Sequence, residues 1–375
     1  MKICMLTTVH QPFDTRIFHK ESKSLLKAGH AVTLIAPSDI ASKNNVDGIH
    51  VITVKKPDSK ILHPITMLRV FIAGLRQDCD VYHCHEPGSL FVCALLKLLK
   101  RNKLVYDVHE HYPGLIAENS LFPKFAYKPI FNIVNLCEKL LSSYSDYIIT
   151  VDKVLASKFK DLNGKICEIN NYPKLDIFTN TKTDESNLDG SVIYVGGLTK
   201  IRGTLETILA FKEVLNKIPD SKLIFVGGFI SSDYEKMIFD YCHEHNLENN
   251  VIFVGQVAHD NVIDHIKNAS LSVALLQPNP RYELAIPVKL FEYMGSSKPV
   301  VMSNFEFNTK LINEVKCGFA VDPTDIQAIS DAILSLLEHP EEAKQMGENG
   351  RRAVEETYNW ENMEKRLFRV YEELA

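Results

Sequence analysis

Short runs of apolar and β-branched residues recur along the chain, separated by amphipathic stretches of helical period. KICMLTTV is followed by a helix expected near Asp14 to Ala28, then HAVTLIAP, IHVITVKK, DVYHCHE, KLVYDVHE, DYIITVD and KICEINNY. A strand, helix, strand alternation of this kind predicts a parallel sheet with helices on both faces. The polar stretch Asn180 to Gly190 has no apolar period and reads as a linker. The alternation then restarts with SVIYVGGL, SKLIFVGGF, NVIFVGQV, LSVALLQ, KPVVMSN and GFAVDP.

The pattern therefore predicts an α/β protein of two Rossmann-like domains, residues 1–180 and 188–357. Two helices, about 340–357 and 360–374, close the chain. Residues 358–375 are expected to return to the first domain, because an amphipathic helix after the last strand must cover an apolar surface. Three strands of the second half end in glycine, at Gly196, Gly227 and Gly255. Backbone approaches ligands at such βα turns, at the carboxyl edge of a parallel sheet.

Composition narrows the classes. With 375 residues, 45% hydrophobic and 24% charged, the chain has the make-up of a globular protein of two ordinary domains. No apolar run reaches the roughly 18 residues of a membrane-spanning helix, and the first residues lack the features of a secretory signal. Eight cysteines without a CxxC pair read as free thiols in a reducing compartment. These features predict cytoplasmic residence. Charge is uneven: residues 1–180 hold 23 Lys+Arg against 17 Asp+Glu, and the rest holds 19 against 30. A basic first half suits an anionic surface or a lipid-linked phosphate, whereas nucleic-acid binding has no further support.

Neither half carries G-x-G-x-x-G after its first strand, which argues against a dinucleotide dehydrogenase. His83 to Glu86 and Asp107 to His111 could offer metal ligands on one strand face. They read instead as strand-end polar residues, so no metal and no cofactor is expected. Asp78-Cys79-Asp80 precedes a strand and reads as a turn. Segments 61–77 and 120–141 mix large apolar residues with Lys or Arg, as either core-facing helices or membrane-interface helices do.

At the level of motifs, GGLTKIRG (Gly196 to Gly203), IPVKLFEYMGSSKPVV, CGFAVDP and the closing MGENGRRAVEETYNWENMEKRLFRVYEEL resemble the retaining glycosyltransferases of family four, the group 1 transferases with the GT-B fold. DTRIFHKESKSLLKAGHAVTLIAP and DVHEHYPG resemble a branch that builds bacterial cell-surface polysaccharides. The resemblance spans nearly the whole chain. It implies two sheets facing across a cleft and a sugar donor linked to UDP, GDP or dTDP. The implied acceptor is a glycan or a polyprenyl-diphosphate-linked sugar at the inner face of the membrane, in capsule, exopolysaccharide or O-antigen assembly.

It also implies roles for particular residues. Glu292 matches the glutamate that accepts from the donor ribose hydroxyls. Arg202 takes the place of the phosphate-binding lysine, with Lys289 as a second cation. Backbone of Ile286, Pro287, Val288 and Lys289 at a helix start faces the diphosphate. Gly196, Gly197, Gly228, Gln256 and Val257 frame the rest of the donor. His109 matches the active-site histidine beside the donor sugar, and Asp14, Arg16 and Glu110 fall where the acceptor is positioned. Two positions depart from the pattern. The arginine of the G-R-L motif is Gly197 here, with Lys200 as its possible replacement, and the first glutamate of E-x7-E is Leu284, with Glu283 one position away as substitute. The rival readings are a nucleotide-sugar 2-epimerase on the same fold and a non-catalytic nucleotide-sugar-binding partner.

Overall fold

The computed structural model describes residues 1–118, 123–162, 165–179, 190–279, 282–283 and 285–375. Two compact units emerge, one of Met1–Asn171 with Asn362–Ala375 and one of Tyr172–Glu361. The expected linker lies almost wholly outside the described residues, at 180–189, and the division falls earlier. The reason is local: Tyr172 packs edge-on against Phe291 and Tyr358, and the Leu175 N–H donates to the Glu361 carboxylate. The segment after Asn171 thus belongs to the second unit.

The first unit is built on eight strands: β1 (Lys2–Leu6), β2 (Ala31–Ser38), β3 (Ser42–Val46), β4 (Ile49–Lys55), β5 (Val81–Cys84), β6 (Lys103–Val108), β7 (Tyr147–Thr150) and β8 (Lys165–Glu168). Their spatial order is β3-β4-β2-β1-β5-β6-β7-β8. All pairs are parallel except β3 with β4. The central strands are buried along their length, as strands covered on both faces must be. β3 is the element that the pattern did not predict: SKNNV is polar, and it pairs at the edge through the tight turn at Asp47-Gly48.

The second unit has six parallel strands: β9 (Ser191–Val195), β10 (Lys222–Val226), β11 (Val251–Gly255), β12 (Leu271–Ala274), β13 (Val300–Ser303) and β14 (Gly318–Val321), in the order β11-β10-β9-β12-β13-β14. In both units the order reverses beside the first strand, and that switch point is where open α/β sheets bind ligands.

The last helix, Trp360–Leu374, joins the first unit. Leu367, Val370 and Tyr371 are buried. Glu364 and Glu373 pair with Lys27 and Lys165, both at the first unit's surface. Its most specific contact is internal: the Tyr371 hydroxyl lies 2.8 Å from His83 Nδ1. Among the described residues no helix is long and apolar enough to cross a membrane.

Candidate active site

In the second unit, β9, β10 and β11 end around a cavity of about 370 Å³ lined by Gly196, Gly197, Gly228, Phe229, Gln256 and Val257, among others. Five of the residues expected to frame the donor are therefore brought together. Gly196 has φ +136°, and a Cβ built on it would fall 1.8 Å from Lys289 Nζ and 3.3 Å from Arg202 Nη1. The positive φ favours glycine here, and two cations converge on the space a side chain would occupy.

Arg202 comes from the short 3-10 turn Lys200–Arg202, which ends at left-handed Gly203 and leads into helix Thr204–Leu215. A side chain on Gly203 would strike the Leu275 carbonyl, so the turn is fixed against β12. Arg202 Nη1 is also 3.3 Å from the Cβ position of Gly197. Lys200, the suggested replacement for the G-R-L arginine, is exposed.

Lys289 stands in the first turn of helix Val288–Gly295, whose N-cap is Pro287. The ammonium lies 5.4 Å above the Tyr194 ring. Burial first, and then the Arg202 charge, push its pKa down to about 8, while Glu292 one turn on pulls the other way. Glu292 is half-buried on this helix, and Ile286 is half-buried just before it. Glu283 is exposed in the turn whose N–H donates to the Asn279 carbonyl. Leu284, its neighbour in the broken motif, lies outside the described residues.

The first unit holds a different kind of site. Asp14 caps the helical segment Thr15–Ser22, accepting from the Arg16 and Ile17 N–H groups. These bonds and His10 hold its carboxyl well below the usual range, against the opposing effect of burial. The segment has wide π-type turns, in which i→i+5 bonding, as from the His19 N–H to the Asp14 carbonyl, brings residues five apart onto one face. Arg16 and Glu21 consequently both point inward.

Expected to touch an acceptor, Arg16 is only 4% exposed and is engaged within the domain. Its Nε and Nη2 each donate over 2.9 Å to Asp107, and Nη1 donates to the Ile169 carbonyl. Glu21 Oε1 is also 2.9 Å from Nε. This corrects the expectation: a guanidinium this buried, with each nitrogen already donating to an acceptor inside the domain, is not presented to a substrate. Asp107 in turn stands 3.2 Å from His109 Nδ1 and 3.4 Å from His85 Nδ1. Burial opposes its charge, but Arg16 and then His109 hold the carboxyl well below its ordinary value.

His109 is the partly exposed end of this chain of groups. Its Nε2 lies 3.4 Å from His10 Nε2, and its ring stacks on His85. Glu110 beside it is half-buried. Sequence reasoning missed Glu21, whose distance from the strand motifs hid its inclusion; the signal was the R-x4-E spacing at the head of the first helix.

Glu21, His83, His85 and Asp107 place one ligand atom each within 4.8 Å of one another. The Arg16 guanidinium already sits against both carboxylates, so the cluster contains its own cation. Asp78 and Asp80 are held by the Lys2 ammonium and N–H, a turn contact at the amino end of the sheet.

A second cavity of about 660 Å³ opens at the carboxyl end of β1 and β5, lined mainly by apolar atoms and including Thr8, His63, Glu86 and Tyr112. Glu86 is pinned there by the Thr7 and Thr8 hydroxyls and the Thr8 N–H.

Comparison with known proteins agrees with these two domains. The glycosyl transferases group 1 model matches residues 179–353, and the glycosyltransferase family 4 model matches 15–171. This chain belongs to glycosyltransferase family 4. An uncharacterized glycosyltransferase of Methanocaldococcus jannaschii, MJ1607, is 24% identical over 99% of this chain and 98% of its own length. Sucrose-phosphate synthase from Thermosynechococcus elongatus superposes with a TM-score of 0.76 at 20% identity, covering 100% of this chain and 98% of its own. Anabaena HepE in complex with UDP-glucose gives 0.71 at 17% identity, covering both chains fully. The family 4 transferase fold of two Rossmann-like domains, GT-B, is thereby established.

Proposed function

We propose that this glycosyltransferase moves a sugar, with retention and without a metal, from a nucleoside diphosphate to a glycan or lipid-linked acceptor in cell-surface polysaccharide assembly. The observation that carries the reading is the convergence of Arg202 and Lys289 beside Gly196, at the mouth of the second unit's cavity and the start of helix Val288–Gly295. A partly buried lysine whose pKa is lowered by burial and by a neighbouring arginine is a site awaiting an anion. A diphosphate supplies it, and the helix N-terminus adds favourable potential.

Glu292 takes the ribose hydroxyls, and the backbone at Gly228, Gln256 and Val257 takes the base. HepE is known with UDP and UDP-glucose, which favours uridine. Glu283 and His109 are assigned to the sugar, and Asp14 and Glu110 to the rim of the acceptor site. Arg16 is a positioning residue that acts on His109 through Asp107. In the transfer, the acceptor oxygen bonds to the anomeric carbon as the bond to the diphosphate breaks. The acceptor's proton passes to a departing phosphate oxygen, whose growing charge Arg202 and Lys289 stabilise. No side-chain nucleophile is then required.

Calorimetric titration of UDP, GDP and dTDP into the wild type and Glu292→Ala tests the assignment. Selective binding of one nucleotide, weakened in the variant, is the expected result. Binding of none by the wild type would refute the donor site.

A further inference from the structure

Three helices of the first unit lie side by side over its core: His63–Leu75 packs on Pro87–Lys100, which packs on Tyr127–Ser142. Each buries one stripe, with Val70, Leu90, Val92 and Leu96 in the core and Leu141 against it. Each also exposes a second apolar stripe at helical spacing. The first carries Ile65, Leu68, Ile72 and Leu75, the second Phe91, Leu95, Leu98 and Leu99, and the third Ile133, Leu136 and Leu140. Leu98 is 76% exposed. Scattered surface leucines need no explanation, but three parallel stripes on touching helices form a continuous apolar face.

The exposed charges that the three helices themselves carry are of one sign, and Asp78 and Asp80, just past the first helix, are engaged by Lys2. Arg69, Arg76, Lys100, Arg101 and Lys128 are exposed on or at the ends of these helices. Lys97 is paired with Asp146 and is not counted among them. The single acidic residue the three helices contribute, Glu138, is buried and bonded to the Tyr106 hydroxyl and Lys158. A surface that combines large apolar side chains with cations, and exposes no carboxylate of its own, is complementary to an anionic bilayer: the side chains enter the interface and the cations meet the phosphates.

We propose that the outer face of helices His63–Leu75, Pro87–Lys100 and Tyr127–Ser142 docks on an anionic lipid bilayer. The inference stands on the first unit alone and does not rest on the proposed sugar transfer. The test is co-sedimentation of the full chain with vesicles of phosphatidylcholine, or of an equimolar mixture of phosphatidylcholine and phosphatidylglycerol. The protein should pellet with the mixed vesicles, stay in solution with the neutral ones and be partly released by salt. The triple variant Leu68→Glu, Leu98→Glu, Leu136→Glu, whose positions are all exposed, should bind about tenfold more weakly while keeping its nucleotide titration. Arg69→Gln with Arg76→Gln and Lys100→Gln should weaken binding without touching the apolar stripes, so the test survives misfolding of the first variant. No pelleting with anionic vesicles would overturn the proposal, as would equal pelleting of the wild type and both folded variants. A dimer in sedimentation velocity that the leucine substitutions dissolve, without vesicle binding, would assign the face to a second copy of this chain instead.

Discussion

Each unit gathers charge at the carboxyl edge of its sheet, but the two gatherings differ in balance. In the first, Arg16 lies against two buried carboxylates, Asp107 and Glu21. In the second, Arg202 and Lys289 converge on one point, and Lys289 is left with a lowered pKa. A cation with its counter-charge built in positions something else, whereas a lysine whose basicity is lowered by burial and a neighbouring cation gains from an arriving anion. The same residue type, arginine after the first strand of a domain, thus serves the fold in one unit and the ligand in the other.

The sharpest way to break this contrast is to remove each arginine. Arg16→Met leaves two buried carboxylates facing one another and should destabilise the protein by about 3–5 kcal/mol, read from urea unfolding. Arg202→Met should leave the unfolding free energy within about 0.5 kcal/mol of wild type and reduce nucleotide binding instead. If both variants lose stability equally, the distinction between the two sites collapses.

Next in size is the donor site itself. Arg202→Gln and Lys289→Met should each lower transfer from the cognate nucleotide sugar by about 10²–10³-fold, and the double variant by less than the product of the two, because both act on one diphosphate. A full multiplicative loss would mean that they touch separate groups. Glu292→Ala should weaken nucleotide binding by about 1–3 kcal/mol, and a nucleotide lacking both ribose hydroxyls should show no further loss in that variant.

Much of this architecture is legible in the sequence. The alternation of β-branched runs with amphipathic helices identifies thirteen of the fourteen strands among the described residues, because a buried parallel strand has to be continuously apolar. β3 escaped because an edge strand needs no apolar face, and SKNNV has none. The donor residues were legible because they cluster at strand ends marked by glycine. Arg16 was misread for the opposite reason: its partners Asp107 and Glu21 are joined to it only by tertiary packing and by the wide helical turns at Thr15–Ser22. Sequence spacing reports a residue's element, but it does not report whether a charge finds its counter-ion inside.

The smallest expected effect is also the most direct reading of imbalance. Without ligand, Lys289 titrates near about 8; a bound diphosphate favours its charged form and raises that value. At pH 8 the free protein carries the proton about half the time, so nucleotide binding should take up about half a proton. Affinity should fall about twofold from pH 7 to pH 8 and about tenfold by pH 9. Titrations in buffers of differing ionisation heat read the uptake, and Lys289→Met should abolish it. The unliganded protein gives the converse sign. A lysine whose folded pKa is below its unfolded one binds fewer protons in the native state, so its contribution to stability rises with pH between about 8 and 10. Wild type should therefore gain on Lys289→Met across that window, and bound nucleotide should remove the difference. Identical heats in all buffers would show that Lys289 is already fully protonated without ligand, its charge balanced inside the protein, and the second unit would then resemble the first.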